Sequence, residues 1–246
     1  MSNRYDWMNK PIRKVAIIGG SPSRTQAPFA DMSWDIWAFS NRRFRMSRVT
    51  RWFEIHAKKA MQRDFRKTKT RRSFQEHWAF LQRATCPVYM QKSHRAIPTS
   101  VRYPLSAAVE RFGRCFTSSA SYLVALAIME QYEGIGLWGV DLTIPHHFVH
   151  QHQALGYLLS IARQEGIHVY LPNTSRIVIP AEPRFVPTRY LYGYDWNAPN
   201  AWWNKRRRKR RRRCAVLRYA ARRRSRSSLR KANKRRSRTR RKRRSL

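Results

Sequence analysis

Cysteine is scarce in this sequence, and long apolar runs are missing from it. The three cysteines, Cys86, Cys115 and Cys214, are scattered and form no C-x-x-C pair, which argues against a disulfide framework or a thiolate zinc site and for a reducing compartment. Residues 1–10 contain no apolar segment of the kind found in signal peptides, and no apolar run is long enough to span a bilayer. The composition therefore predicts a cytoplasmic protein that is not secreted.

Acidic residues are missing after Asp195. From Lys205 to Leu246 the chain carries 25 of its 53 Lys and Arg residues and no acid, whereas the remainder has 28 basic and 13 acidic residues. Like charges at this density repel one another, and the segment has too few apolar residues to build a core. We therefore expect a globular domain over residues 1–203 and a disordered polybasic tail over residues 204–246.

A short apolar run ends in paired glycines near the start of the chain. Val15 to Ile18 leads into Gly19-Gly20-Ser21-Pro22-Ser23, which predicts a strand buried on both faces and then a tight turn. Glycine lets a phosphate approach the backbone closely, and Ser21 and Ser23 are suited to capping a following helix that would bind it. An ordinary strand-to-helix turn explains the same residues, because the G-x-G-x-x-G spacing is absent.

The rest of the chain alternates between strand and helix patterns. Further strands are predicted over residues 34–41, 50–56, 87–91, 135–141 and 168–172, and helices over residues 103–112, 119–134 and 151–165, with a basic, helix-permissive stretch over residues 57–84. The strand–helix–strand spacing from residue 135 to residue 172 is typical of a βαβ unit. These patterns predict an α/β fold with a mostly parallel sheet flanked by helices.

Polar residues are predicted at the carboxyl ends of the strands, where open parallel sheets bind their ligands. The residues expected at this rim are Gly19, Gly20, Ser21, Asn41, Glu54, His56 and Asp141, together with Ser23, Ser118 and Ser119 at the starts of helices. Hydroxyl and backbone N–H groups suit a phosphate, and carboxylates suit magnesium or a ribose. Each residue also has a structural explanation: Asp141 and the serines can cap turns or helices, Glu54 and His56 can bond each other, and Asn41 can end a strand.

Four histidines, His146, His147, His150 and His152, lie close together in the sequence. His146 and His150 would share a helix face, as zinc ligands often do. No cysteine or carboxylate accompanies them at a matching spacing, and H-E-x-x-H is absent. We therefore favour contact between one of these histidines and a phosphate over a dedicated zinc site.

The order of the motifs resembles a known family. The Gly-Gly-Ser-Pro-Ser turn, Arg51 to His56, Phe116 to Ser121 and Gly139-Val-Asp141 resemble segments of Rossmann-like proteins common in bacteriophage genomes, which are distantly similar to the MptE-like 6-hydroxymethylpterin diphosphokinases. The resemblance covers about residues 14–195. It implies a Rossmann-like fold that binds nucleotides. It also implies the family's reaction, which is the transfer of diphosphate from ATP to a pterin alcohol with magnesium. Gly19, Gly20, Pro22 and Ser23 would correspond to the family's Gly-x-Gly-Pro-Ser loop, and Asp141 to its acidic strand end.

Two compatible classes of function follow. The first is a nucleotide-binding transferase of phosphoryl or diphosphoryl groups, which would use a nucleoside triphosphate and Mg²⁺, with Asp141 as metal ligand and Glu54 or His56 as base. The second is a non-enzymatic nucleic-acid-binding or packaging-associated phage protein, located in the host cytoplasm, whose tail binds phosphates without reading sequence. The residues assigned to that contact are Arg206, Arg207, Arg208, Lys209, Arg210, Arg211, Arg212 and Arg213.

Overall fold

The computed structural model of the protein describes residues 13–40, 46–67, 74–142, 149–195 and 197–198. Within these residues, seven strands form one sheet: β1 (Lys14–Ile18), β2 (Trp34–Phe39), β3 (Arg51–Glu54), β4 (Val88–Met90), β5 (Ser100–Arg102), β6 (Gly134–Trp138) and β7 (His168–Tyr170). The helices of the same residues are α1 (Lys58–Lys67), α2 (Phe74–Gln82), α3 (Leu105–Phe112), α4 (Ser119–Met129) and α5 (Val149–Gln164), and a 3-10 helix covers Pro22–Gln26. The predicted Rossmann-like α/β fold class is confirmed.

The sheet is parallel throughout, and its strand order changes direction beside β1. The order is β5-β4-β3-β2-β1-β6-β7, and every neighbouring pair of strands is parallel. The chain moves outward from β1 to β5 and then returns to place β6 on the other side of β1. In open parallel sheets the crevice outside such a switch in strand order binds the ligand. Here the switch lies between the loop after β1 and the loop after β6.

The central strand β1 is buried on both faces, as its apolar run predicts. Val15 and Ile17 belong to the large core that α3, α4 and α5 share with the sheet, whereas Ala16 and Ile18 face a smaller core that includes Trp34. Successive side chains of a strand point to opposite faces, so each pair serves one layer. Helix α4 is enclosed, since all of its residues from Ala120 to Ile128 are buried. A helix that is apolar on every side is typical of such a buried position.

Several predicted elements differ from the observed ones. The sequence does not predict β5, because this edge strand has only three residues and is largely exposed. The basic stretch of residues 57–84 forms the two helices α1 and α2, and the helix expected to start at Ser23 is the five-residue 3-10 helix. The predicted domain boundary after residue 203 and the tail lie outside the described residues. Among the described helices, none has the length and apolar character needed to cross a membrane.

The two loops at the switch meet backbone to backbone at Gly19 and Gly139. The Gly19 N–H donates to the Trp138 carbonyl at 2.7 Å, and the Ser21 N–H donates to the Gly139 carbonyl at 2.9 Å. A Cβ atom on Gly19 would lie 2.2 Å from the Gly139 carbonyl oxygen, and Gly139 itself has φ +71°. The close contact between the loops therefore explains why residue 19 is a glycine. This is the structural explanation that the sequence left open beside a phosphate loop.

We expect Gly139→Ala to destabilise the fold more than Gly166→Ala. Both glycines have positive φ, +71° and +80°, but a Cβ on Gly139 would lie 2.8 Å from the Gly19 backbone whereas one on Gly166 would meet nothing within 4 Å. The shared left-handed conformation costs about 1–2 kcal/mol, and the overlap at Gly139 adds about 1–3 kcal/mol. Urea unfolding of both variants measures the difference; equal losses would show that the loop contact is loose.

Candidate functional site

The loops after β1 and β6 hold Ser23 and Asp141 together at the switch. Ser23 Oγ accepts a hydrogen bond from the Gly139 N–H at 2.7 Å and donates one to Asp141 Oδ1. The Ser23 N–H donates to Asp141 Oδ2 at 3.4 Å. Both residues are only 3% exposed. The Asp141 carboxylate thus fixes the 3-10 helix, and the Ser23 side chain faces inward instead of the rim.

The hydrogen bonds between Asp141 and Ser23 involve the carboxylate that is predicted to bind magnesium. Magnesium is usually bound by one or two carboxylates together with water and substrate phosphates. Both oxygens of Asp141 already face Ser23, and the described residues include no group of three or more His, Cys, Asp or Glu that could hold a metal ion. A magnesium ion that arrives with a nucleotide stays a prediction.

A second polar cluster surrounds the buried carboxylate of Glu54 at the carboxyl end of β3. Glu54 Oε1 lies 2.7 Å from His56 Nδ1 and accepts the His56 backbone N–H at 3.1 Å. Glu54 Oε2 lies 2.8 Å from His77 Nε2 and accepts the Ser40 hydroxyl at 2.6 Å. The side chains of Glu54 and His77 are 7% and 6% exposed, and that of His56 is 26% exposed. His56 is therefore the titratable member of this cluster that reaches the surface. We call these four residues the Glu54 cluster.

Tyr192 connects the Glu54 cluster to the start of α4. Its hydroxyl oxygen lies 3.0 Å from His56 Nε2, and the two rings meet edge to face. The Tyr192 N–H donates to the Phe116 carbonyl at 3.0 Å, and the Tyr122 hydroxyl donates to the Tyr192 carbonyl at 2.8 Å. The segment around Tyr192 thus packs on the domain and places a hydroxyl beside His56.

The predicted serines lie at the N-terminus of α4. Ser118 is the N-cap and faces Ser121 in a capping-box arrangement, with the Ser118 N–H 3.4 Å from Ser121 Oγ. Ser118 is 7% exposed, and its own Oγ makes no hydrogen bond of normal geometry with a described residue. Ser119 is half-buried, and the Thr117 hydroxyl donates to the His150 carbonyl at 2.8 Å. The start of α4 therefore combines N-terminal amides with a buried hydroxyl whose bonding is incomplete.

Burial and close contacts set the charges of Glu54 and His56. Burial on its own raises the pKa of Glu54, but hydrogen bonds from His56 and His77 outweigh it and hold this pKa well below its usual range. Burial also lowers the pKa of His56, and the contacts with Tyr192 and Glu54 outweigh that effect and raise it to about 10. At neutral pH the pair is therefore a carboxylate and an imidazolium. An imidazolium donates from both nitrogens, here to Glu54 and to Tyr192.

The structure brings some predicted site residues together and separates others. Glu54 contacts His56, and Ser23 contacts Asp141. The strands that lead to these two contacts, β3 and β6, are three positions apart in the sheet, which is on the order of 15 Å at normal strand spacing. Asn41, His146, His147 and the basic residues 206–213 lie outside the described residues, and His152 Nε2 lies 3.1 Å from the Leu142 carbonyl.

Sequence reasoning missed Ser40, His77 and Tyr192, which complete the surroundings of Glu54 and His56. Tyr192 is separated from His56 by 136 residues, and His77 from Glu54 by 23 residues. No spacing rule connects residues so far apart on different elements. Of these three residues, Ser40 could have been found from the sequence, because it directly follows β2, the neighbour of β3 in the sheet.

Among known proteins, the chain is similar to solved structures and to no family model or curated protein. No protein-family model matches the chain, and no curated protein matches it. The sialyltransferase CstII from Campylobacter jejuni in complex with cytidine-5'-monophosphate is 14% identical, with a TM-score of 0.44 over 74% of this chain and 89% of that one. A CST-II structure with a trisaccharide acceptor and CMP is 13% identical, with a TM-score of 0.41 over 73% and 89% of the two chains.

We expect Glu54→Gln to lower the free energy of unfolding by about 3–5 kcal/mol at neutral pH, because it removes the buried carboxylate that pairs with the partly buried His56 cation. The folded-state pKa of Glu54 lies below the ordinary value of 4.5, so its stabilisation is present above about pH 4.5 and is lost as the pH falls. Urea unfolding between pH 3 and pH 8 should therefore show a gap between wild type and variant that shrinks in acid.

The exposed residue Glu110 on α3 offers a matched control. Glu110→Gln makes the same chemical change on the surface and should alter the free energy of unfolding by no more than about 0.5 kcal/mol. A gap between wild type and Glu54→Gln that does not change with pH would contradict the assigned charge of Glu54.

Proposed function

We propose that this chain binds a nucleotide at the carboxyl edge of its sheet and transfers a phosphoryl or diphosphoryl group from it. The observation that supports this most directly is the series of contacts from buried Glu54 through His56 to Tyr192. It places an oriented cation, with 26% of its side chain exposed, at the edge where parallel sheets bind their ligands.

The start of α4 supplies the second element of the proposed site. Helix N-termini bind phosphate groups because their first N–H groups have no partner within the helix and the helix dipole favours negative charge. The buried Ser118 hydroxyl lacks a normal hydrogen bond with a described residue, and Tyr192 links this helix start to His56. In the proposed complex the nucleotide phosphates contact Ser118, Ser119 and the His56–Tyr192 pair, and Gly20 and Ser21 face them from the loop after β1.

His56 acts in this proposal as a cation and not as a base. A general base works best when its pKa lies near the operating pH, whereas the pKa of His56 is raised to about 10. Glu54 is a poor base as well, since it is buried and is contacted by His56 twice, by His77 and by Ser40. A fixed imidazolium stabilises the negative charge on a phosphoryl group during transfer, which is the main task in such reactions.

We expect His56→Gln to weaken the binding of ATP, measured by isothermal titration calorimetry with and without Mg²⁺, by about tenfold or more. This is the effect of removing one positive charge close to the phosphates, since both N–H groups of His56 already donate to Glu54 and Tyr192. Gly20→Val and Asp141→Ala should also weaken binding, because both change the loops at the switch. His168→Gln is a matched control, since His168 is the exposed first residue of β7 and lies at the opposite end of the strands.

The same titrations show which part of the proposal fails. Wild-type affinity in His56→Gln would remove the Glu54 cluster from the site, and wild-type affinity in both loop variants would remove the switch loops. If ATP binds equally well with and without Mg²⁺, the predicted role of Asp141 as a magnesium ligand is wrong. Binding of ATP without transfer to any hydroxyl acceptor would leave a nucleotide-binding protein and exclude the transferase.

A second function is supported by the charge of the tail. The 25 basic residues between Lys205 and Leu246 have no acidic neighbour in that segment. Such a segment neutralises nucleic-acid phosphates and releases their counterions without recognising sequence. We propose that residues 206–213 and the basic residues after them bind nucleic acid non-specifically while the domain binds its nucleotide.

Deletion of residues 205–246 should lower the affinity for a random-sequence DNA duplex by about a hundredfold or more at low salt. It should also flatten the dependence of affinity on salt concentration, because fewer counterions are released. Fluorescence anisotropy at several salt concentrations measures both quantities. A variant with Gly and Ser in place of the same residues controls for chain length; affinity that survives both changes would place the DNA contact on the domain.

A further inference from the structure

A groove of about 520 Å³ lies between α5 and the segment of residues 176–186. Its first wall is a stripe on α5 formed by Val149, His152, Gln153, Gly156 and Tyr157. These positions are three or four residues apart and so lie on one face of the helix. The volume falls within the range of about 300–1,000 Å³ that is typical of small-molecule sites.

The second wall is held in place at two points, by the loop after β6 and by α5. The Arg176 N–H donates to the Asp141 carbonyl at 2.9 Å, and the Ser160 hydroxyl donates to the Pro180 carbonyl at 2.9 Å. A Cβ on Gly156 would lie 2.7 Å from the Val178 carbonyl oxygen, so the segment touches the helix backbone there. These contacts preform the groove without a ligand.

The groove presents exposed apolar side chains. Val149, Val178 and Val186, which line it, are 47%, 75% and 38% exposed. The Tyr157 ring continues this surface and packs on Phe185 with ring centroids 5.4 Å apart. Adjacent exposed apolar groups of this kind mark ligand or partner sites more often than isolated ones do.

The charged side chains that line the groove are both arginines, whereas Glu182 of the same segment is not part of the lining and accepts a hydrogen bond from Gln164. Arg176 and Arg184 line it, and its described lining includes no Asp or Glu. None of the ion pairs found between described residues involves either guanidinium group. Guanidinium groups bind carboxylates and phosphates in a two-pronged geometry, so two of them beside an apolar surface favour a ligand with one anionic end.

We propose that this groove binds a small amphipathic anion, with its apolar body on the valines and Tyr157 and its anionic end on Arg176 and Arg184. The groove shares no residue with the Glu54 cluster, so the proposal does not rest on nucleotide binding. The anionic end can be a carboxylate or a phosphate, which share this chemistry.

The test uses decanoate and decyl phosphate as anionic probes and decan-1-ol as the neutral probe, each titrated into the full chain by calorimetry below its solubility limit. At least one anionic probe should bind more tightly than decan-1-ol. In the double variant Arg176→Gln and Arg184→Gln the affinity for that probe should fall by about tenfold, which is the combined effect of two exposed ion pairs. Val178→Asp should weaken both the anionic and the neutral probe.

A control is needed because the chain is strongly basic. The double variant Arg83→Gln and Arg163→Gln removes the same charge from exposed arginines that do not line the groove, one of them on α5. This control should bind the anionic probe as the wild type does. Three results would overturn the proposal: decan-1-ol binding as tightly as both anions, an unchanged affinity in the groove variant, or an equal loss in the control.

Discussion

A carboxylate that is removed from water must be compensated by groups within hydrogen-bonding distance, and Glu54 is the clearest case in this protein. An uncompensated buried charge costs several kcal/mol in practice. Ser40 after β2, His56 after β3 and His77 on α2 supply the compensation. The same contacts orient His56 toward Tyr192, so the neutralisation of one buried charge also organises the surface beside it. The proposed function depends on this pairing, because it keeps the partly exposed imidazole of His56 charged.

Asp141 is a second deeply buried carboxylate, and its partners come from other elements. Its partner is Ser23, which is part of the 3-10 helix, and the loops around it touch through Gly19 and Gly139. The switch in strand order is thus closed largely by contacts within the protein. The Glu54 cluster lies at the end of β3, where part of the His56 side chain is accessible. The two buried carboxylates therefore differ in their surroundings: Asp141 is bonded within the switch loops, whereas Glu54 bonds a histidine that is partly exposed.

The sequence predicts the fold much better than it predicts the site. Buried apolar runs such as Val15 to Ile18 and Ile135 to Leu137 are strong signals, because both faces of a central parallel strand must be apolar. Glu54 and His56 bond each other, which is the structural alternative that the sequence offered for them. The partners His77 and Tyr192 come from distant elements, and their contacts depend on tertiary packing that no local pattern encodes. Gly19 shows the same limit, since a turn and a phosphate loop use the same residue.

The two strands that end the sheet, β5 and β7, have three residues each. An edge strand presents unpaired N–H and C=O groups that can recruit a strand from another molecule, and proteins limit this risk by keeping edges short and charged. Arg102 ends β5, and its exposed side chain adds charge to that edge. The sheet therefore offers little template for growth by strand addition. The short edge strands thus protect the seven-stranded sheet against pairing edge to edge with the sheet of a neighbouring copy.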